Sequence, residues 1–277
     1  MRNLFWRAFL VIFLCGGLPA VAAADFRTRL SSQLHENRNL DDVRAEISFG
    51  RDVAARILGS IALLRNKELT LYLNRIGSAV AASSSRPDLA FHFAVLDTAS
   101  VNAFAAPGGY IFVTRGALEA MNDEAELAAV LAHEIAHVSS RHIVNELQIR
   151  SQDTEGMSLV SLVAGSSDPV RVALHQMVDQ AVNILFERGY KRQDEFESDT
   201  LATMLLVLSG YDPTSLRRYL QKISALQADE ARELTQTHPP FSERIEHIKT
   251  FEQDNELFRL DEGTINQERF EFYVRAN

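Results

Sequence analysis

The stretch LAAVLAHEIAHVSSRH, residues 127–142, holds two histidines four positions apart with a glutamate directly after the first. On a helix His133 and His137 lie on one face, so both imidazoles can reach a single ion. Glu134 is rotated by about 100° from His133, close enough to touch a metal-bound water without itself binding. This is the H-E-x-x-H pattern of zinc hydrolases. Taken alone the pattern is only moderately specific, because an alanine-rich helix can also carry two half-buried histidines with no metal.

A third ligand is therefore needed. Extended versions of the pattern place a histidine six residues after the second one and a glycine three residues after it; here those positions are Ile143 and Ser140, which excludes that class. His142 is one residue out of place and reads as a solvated helix residue. The acidic run DEFESD at 194–199 offers more. Glu195 and Asp199 are one turn apart on a second helix and can point the same way. Glu195 can complete a His2Glu site of the catalytic zinc type, leaving one position to water. Asp199 can then accept a hydrogen bond from the far nitrogen of a liganding histidine and fix its tautomer. Glu197 points elsewhere and reads as part of an exposed acidic first turn.

The elements that must position these groups follow from periodicity. Residues 40–82 read as two or more amphipathic helices, broken by SSSRPD. LAFHFAVL and VNAFAAPGGYIFVTRG are rich in β-branched and aromatic residues, with Pro107-Gly108-Gly109 as the turn between strands. Asp123 and Glu126 have capping-box spacing and open the helix that carries the histidines. A helix is expected from about 170 to 187 and another from about 194 to a C-cap at Gly210. The segment THPPF then forces an extended loop. The expected architecture is one mostly helical α+β domain with a small sheet.

Composition sets the limits. With 277 residues, 46% hydrophobic and 23% charged, the chain has the make-up of a globular protein. Residues 1–24 read as a signal peptide: a basic start, an apolar run and small residues before the cleavage point, Ala24 first and Ala22 second. An uncleaved anchor is the rival reading. Cys15 is the only cysteine, so a mature chain of residues 25–277 has neither disulfides nor thiolate ligands, and any metal must sit on nitrogen and oxygen. Without Arg2 and Arg7, Lys and Arg fall from 28 to 26 against 37 acidic residues, and the formal charge moves from −9 to −11. Nucleic acid does not suit such a surface.

VNAFAAPGGYIFVTRG, HEIAH, DEFESD and THPPFSERI, in this order and spacing, resemble the M48 metallopeptidases, the group containing the CAAX prenyl proteases and bacterial envelope-stress proteases. The similarity covers roughly residues 43–250. The resemblance implies a zincin-like domain with one zinc ion on His133, His137 and Glu195, Glu134 as the catalytic base, and Asp199 behind a ligand. Ser198 stands where the family usually carries alanine. No transmembrane helix is expected in the mature chain. The resemblance thus implies a periplasmic zinc endopeptidase acting on misfolded or misassembled envelope proteins, with the outer-membrane assembly machinery as a partner. A chaperone-like protein with a latent or structural zinc site is the alternative, and the intact Glu134 argues against it.

Further positions stay open. Arg244, Tyr190 and His238 are candidate donors to the oxyanion, with a surface role favoured for Tyr190. His238, on the loop of THPP, is also a candidate fourth ligand that closes the site and leaves the protease latent. For Gly109, Tyr110, Ile111, Phe112 and Val113, alternation fits an internal strand of the small sheet as well as an edge, and the resemblance favours an edge strand that pairs with an extended peptide substrate.

Overall fold

The computed structural model describes residues 40–149, 158–226, 237–257, 260 and 263–275. The expected signal peptide, residues 1–24, lies outside the described residues. Helices α1 (Leu40–Leu58) and α2 (Lys67–Ala81) account for the amphipathic run, and α2 is opened by Asn66, whose side chain accepts from the Leu69 N–H at 3.0 Å. Strands β1 (His92–Leu96), β2 (Ala103–Ala106) and β3 (Tyr110–Thr114) follow, with Pro107–Gly109 as a short 3-10 turn between the last two. Gly108 holds φ 73° there, and a side chain at that position would run into the α1 backbone at Ile47.

The three strands form one sheet in the order β1–β3–β2, with β1 parallel and β2 antiparallel to β3. This corrects the edge expectation for Gly109, Tyr110, Ile111, Phe112 and Val113. They belong to, or lead into, the central strand, whose two edges are both taken. The reason is burial on both faces. Ile111 and Val113 join one apolar core with Leu73, Leu127 and Leu131, while Phe112 joins a second with Phe49, Phe104 and Ile184. A strand that is apolar at successive positions is covered on both sides and sits inside a sheet. The edge next to the histidine helix belongs to β2, which among the described residues pairs with β3 alone.

After α3 (Arg115–Ala120) comes α4 (Glu124–Ser139), which carries the H-E-x-x-H residues and is buried along its whole length. Asp123 caps it by accepting from the Glu126 N–H at 2.9 Å, and Glu126 reaches back to the Asn122 N–H at 2.8 Å. Then follow α5 (His142–Glu146), α6 (Leu159–Ala164) and α7 (Asp168–Asn183), which continues into a π-turn at Ile184–Arg188. Helix α8 (Arg192–Ser209) buries Glu195, Ser198, Asp199, Ala202 and Leu206, a stripe at helical spacing, and ends at Gly210 with φ 77°. Its most extensive packing partner is α4. Helices α9 (Ser215–Ile223), α10 (Phe241–Asp254) and α11 (Gln267–Val274) complete a mostly helical α+β fold.

Candidate metal centre

The crossing of α4 and α8 brings His133, His137 and Glu195 together in the interior, with one ligand atom of each within 4.8 Å of the others. Among the described residues no other group of histidine, cysteine and carboxylate side chains converges in this way. The two Nε2 atoms are 3.0 Å apart. Glu195 Oε2 lies 3.6 Å from His133 Nε2 and Oε1 lies 3.7 Å from His137 Nε2. Neither oxygen of this fully buried carboxylate has a hydrogen-bond partner. An orphaned buried carboxylate is costly, and the arrangement is relieved by a cation at the point where the three groups meet. Two imidazole nitrogens and one carboxylate, with no sulfur, are a donor set that zinc takes in hydrolases.

The far sides of both imidazoles are held. Asp199 Oδ1 lies 3.1 Å from His133 Nδ1. Asp199 is itself clamped by Arg244, which donates from Nη2 at 2.6 Å and from Nε at 2.9 Å. The guanidinium thus serves Asp199, and its Nη1 sits 3.5 Å from Glu195. His142 Nδ1 lies 2.9 Å from His137 Nδ1. His142 is therefore no solvated residue: it is buried against His137. The helical period could not show this, because α4 stops at Ser139 and Arg141 adopts the left-handed conformation, φ 56°, turning the chain back on itself.

The charges of the site follow from burial and neighbours. Burial opposes a charge on His133, and so does Arg244, but Asp199 and Glu195 outweigh them and raise its pKa to about 9. Burial and the neighbouring histidines push His137 well below its ordinary value. Asp199 is held far below the usual carboxylate range: burial works against this, and Arg244 and His133 overcome it. Burial, helped by the charge of Glu195, raises Glu134 to about 7.

Tyr190 also departs from the expectation of a surface role. Its ring stacks on His137 at 4.1 Å and 20°, and its buried hydroxyl has no hydrogen-bond partner. Gly189 before it has φ 72°, and a side chain there would meet the Thr237 carbonyl oxygen at 1.9 Å. This close approach seats the loop of His238 against the site. His238 Nε2 points inward, 3.6 Å from Glu195 Oε1, and burial lowers its pKa to about 4. Glu197 is half exposed and accepts from Ser140 Oγ at 2.8 Å, away from the ligand cluster.

Two openings flank the centre along β2. One, of about 360 Å³, lies between Ala103, His133 and Glu134 and is walled by Val130, Leu216, Tyr219 and Leu220. The other, of about 180 Å³, is bounded by Ala105, Pro107, His137 and Arg141. Thr114 N donates to Asn102 O at 3.0 Å, so the antiparallel alternation turns the main-chain groups of Phe104 toward β3 and those of Ala103 and Ala105 outward. The wall from α9 was not foreseen from sequence; only its strongly amphipathic pattern, with Leu216, Tyr219, Leu220 and Ile223 inward, hinted at a packed face.

An H-E-x-x-H helix, a crossing helix that brings Glu195 to its two histidines, and a small sheet whose edge strand lies beside them are the features of a metallopeptidase domain. The chain belongs to Peptidase family M48, which it matches over residues 67–252. It is similar to the beta-barrel assembly-enhancing protease of Shigella flexneri, 25% identical over 239 residues that make up 84% of this chain and 49% of that protein. It also resembles the mitochondrial metalloendopeptidase OMA1 of Schizosaccharomyces pombe, 30% identical over 65% of this chain and 52% of that protein. A third relative is the metalloprotease YcaL of Escherichia coli, 28% identical over 57% of this chain and 61% of that protein. The chain spans about half the length of the beta-barrel assembly-enhancing proteases it matches.

Proposed function

We propose that this chain is a zinc-dependent endopeptidase, and the orphaned Glu195 carboxylate facing two imidazole nitrogens is the observation that carries the reading. Nε2 of His133, Nε2 of His137 and the Glu195 carboxylate would hold the ion. Zinc bound there supplies Lewis-acid chemistry, polarising a peptide carbonyl and acidifying water. Glu134 takes the proton from the attacking water and returns it to the leaving amine. A carboxylate raised by burial to about 7 can hold and release a proton near neutral pH, which suits that shuttle. Asp199, fixed by Arg244, keeps the His133 proton on Nδ1 and its Nε2 free to bind.

The substrate is an extended polypeptide that pairs with the outward carbonyl of Ala103 and the outward main-chain groups of Ala105 on β2; the Ala103 N–H already donates to Asn102 Oδ1 at 2.9 Å. Its side chains enter the openings at the two ends of that strand. The apolar wall of Val130, Leu216, Tyr219 and Leu220 selects a hydrophobic residue beside the bond that is cut. Hydrophobic segments are buried in folded proteins and exposed in misfolded ones, so the preference is for unfolded or misassembled chains. The proposed place of action is the periplasm, supported by the signal-like residues 1–24 and by the beta-barrel assembly-enhancing proteases among the relatives. Outer-membrane proteins in assembly are the proposed substrates. Among the described residues no helix is long and apolar enough to cross a membrane.

The test is metal content and casein hydrolysis of the purified chain beside Glu134→Gln. The variant is expected to keep its zinc and lose about 10²- to 10⁴-fold in rate, the usual weight of a general base. A variant as fast as wild type would exclude Glu134 as the base.

A latent resting state is the second part of the proposal, favoured by the inward Nε2 of His238, 3.6 Å from Glu195. A neutral imidazole there is placed to complete the metal's ligands and shut out water. His238→Ala is expected to speed casein hydrolysis with zinc retained. A slower variant would instead make His238 a donor to the oxyanion, and an unchanged rate would leave it without a role.

A further inference from the structure

The two histidines that face the metal point are held from behind by unlike partners. His133 Nδ1 meets a carboxylate, Asp199; His137 Nδ1 meets another imidazole, Nδ1 of His142, at 2.9 Å. A neutral imidazole has one N–H and one lone pair. If the Nε2 lone pair of His137 goes to a metal, its proton sits on Nδ1, and His142 Nδ1 must be the acceptor. The proton of His142 then lies on Nε2. That atom is buried and has no hydrogen-bond partner, and the nearest carboxylate oxygens are Glu197 Oε2 at 3.7 Å and Asp194 Oδ1 at 4.0 Å. Both are too far for a direct hydrogen bond. Their negative charge nonetheless favours a proton on that side of the ring. The opposite assignment places a proton on His142 Nδ1, takes the Nδ1 lone pair of His137, and moves the His137 proton onto Nε2. That tautomer cannot bind a metal.

We propose that His142 is a positioning residue for the metal ligand His137, holding its tautomer and its flip about Cβ–Cγ through an Nδ1–H···Nδ1 hydrogen bond. The inference rests on the assignment of His133, His137 and Glu195 as ligands. Stacking on Tyr190 at 4.1 Å restrains the plane of the His137 ring but does not distinguish its two flips about Cβ–Cγ, which carry the nitrogens to opposite edges. The bond to His142 selects one of them. Ser198 Oγ, at 3.5 Å from His142 Nδ1, is the weaker contact. The backbone supports the arrangement: Arg141, a non-glycine residue in the left-handed region, makes the reversal that returns His142 to His137. Such a conformation persists where the surroundings over-determine it.

The experiment compares wild type, His142→Asn and His142→Leu, each stripped of metal and titrated with zinc against a chromophoric chelator. Asparagine keeps an acceptor oxygen near the position of Nδ1, whereas leucine fills the space without one. Leucine is expected to weaken zinc binding by about ten- to a hundredfold, as loss of a partner behind a ligand does, and asparagine to recover most of it. Melting temperatures of the metal-free proteins report folding separately. If asparagine is no better than leucine, or leucine binds zinc like wild type, the proposal fails. NMR of zinc-loaded wild type with ¹⁵N-labelled histidine reads the tautomer directly and decides the matter if the leucine variant does not fold. The expected signal is a proton on His142 Nε2, and a proton on Nδ1 overturns the proposal. A wild type that takes up no zinc refutes the ligand assignment itself, whereas zinc uptake with the wrong His142 tautomer refutes only this inference.

Discussion

Glu195 and Glu197 are two positions apart on α8 and share a side chain, yet their surroundings differ. A helix turns them about 200° apart, so Glu195 is buried with no hydrogen bond to either oxygen, while Glu197 is half exposed and bonded to Ser140. Glu195→Ala is expected to strip or loosen zinc, and Glu197→Ala to leave it bound, as measured by elemental analysis after dialysis. Equal loss from both would remove Glu195 from the ligand set. Asp199→Asn belongs to the same series and should cost about ten- to a hundredfold in affinity. Much of this was legible beforehand, since helical spacing alone places His133 with His137 and Glu195 with Asp199. His142 was not legible, because its approach to His137 depends on the φ of Arg141 and on no periodic pattern.

At the scale of elements, the strand beside the site is β2 and not the segment 109–113 that the sequence suggests. β3 carries Ile111, Phe112 and Val113 in succession and is paired on both sides, by β1 and by β2, so the edge beside α4 falls to β2. The corrected topology predicts opposite outcomes for two prolines. Phe112→Pro removes an N–H from the ladder of the central strand and is expected to unfold the chain. Ala105→Pro removes an outward N–H, which the sheet does not use. It should lower the melting temperature by no more than about 5 °C. Peptide cleavage should fall about tenfold or more, the weight of one lost main-chain hydrogen bond of about 1.5 kcal/mol. If Ala105→Pro cleaves peptides at the wild-type rate, the substrate does not pair with β2.

At the scale of the whole molecule, a second buried carboxylate ties the helices together without any metal. Glu124, at the start of α4, accepts from Tyr72 on α2 at 2.9 Å, from Tyr211 after α8 at 2.8 Å, and from Asn266 at 3.0 Å, and it pairs with Arg269 on α11. Burial works to raise its pKa, but Arg269, Tyr211, Tyr72 and Asn266 together lower it below the ordinary 4.5. A carboxyl group depressed in the folded state stabilises the fold fully above its unfolded value, and this stabilisation is lost as pH falls through the lowered native value. Between pH 7 and about pH 3 wild type should therefore lose more stability to urea than Glu124→Gln does. Parallel loss in the two proteins would show that the cluster adds nothing to acid sensitivity.

The sequence by itself determined the family, through four ordered motifs, and the pairing of His133 with His137 and of Glu195 with Asp199 by helical turn. These are local facts, set by residue type and by a period of 3.6. Tertiary structure decided which strand stands at the edge, that Arg244 serves Asp199, that Tyr190 stacks on His137, and that His142 meets the same imidazole. Each of these joins residues far apart in the chain or across a break in a helix. Their contact depends on how the sheet is ordered and how α4 crosses α8, and no local pattern encodes that.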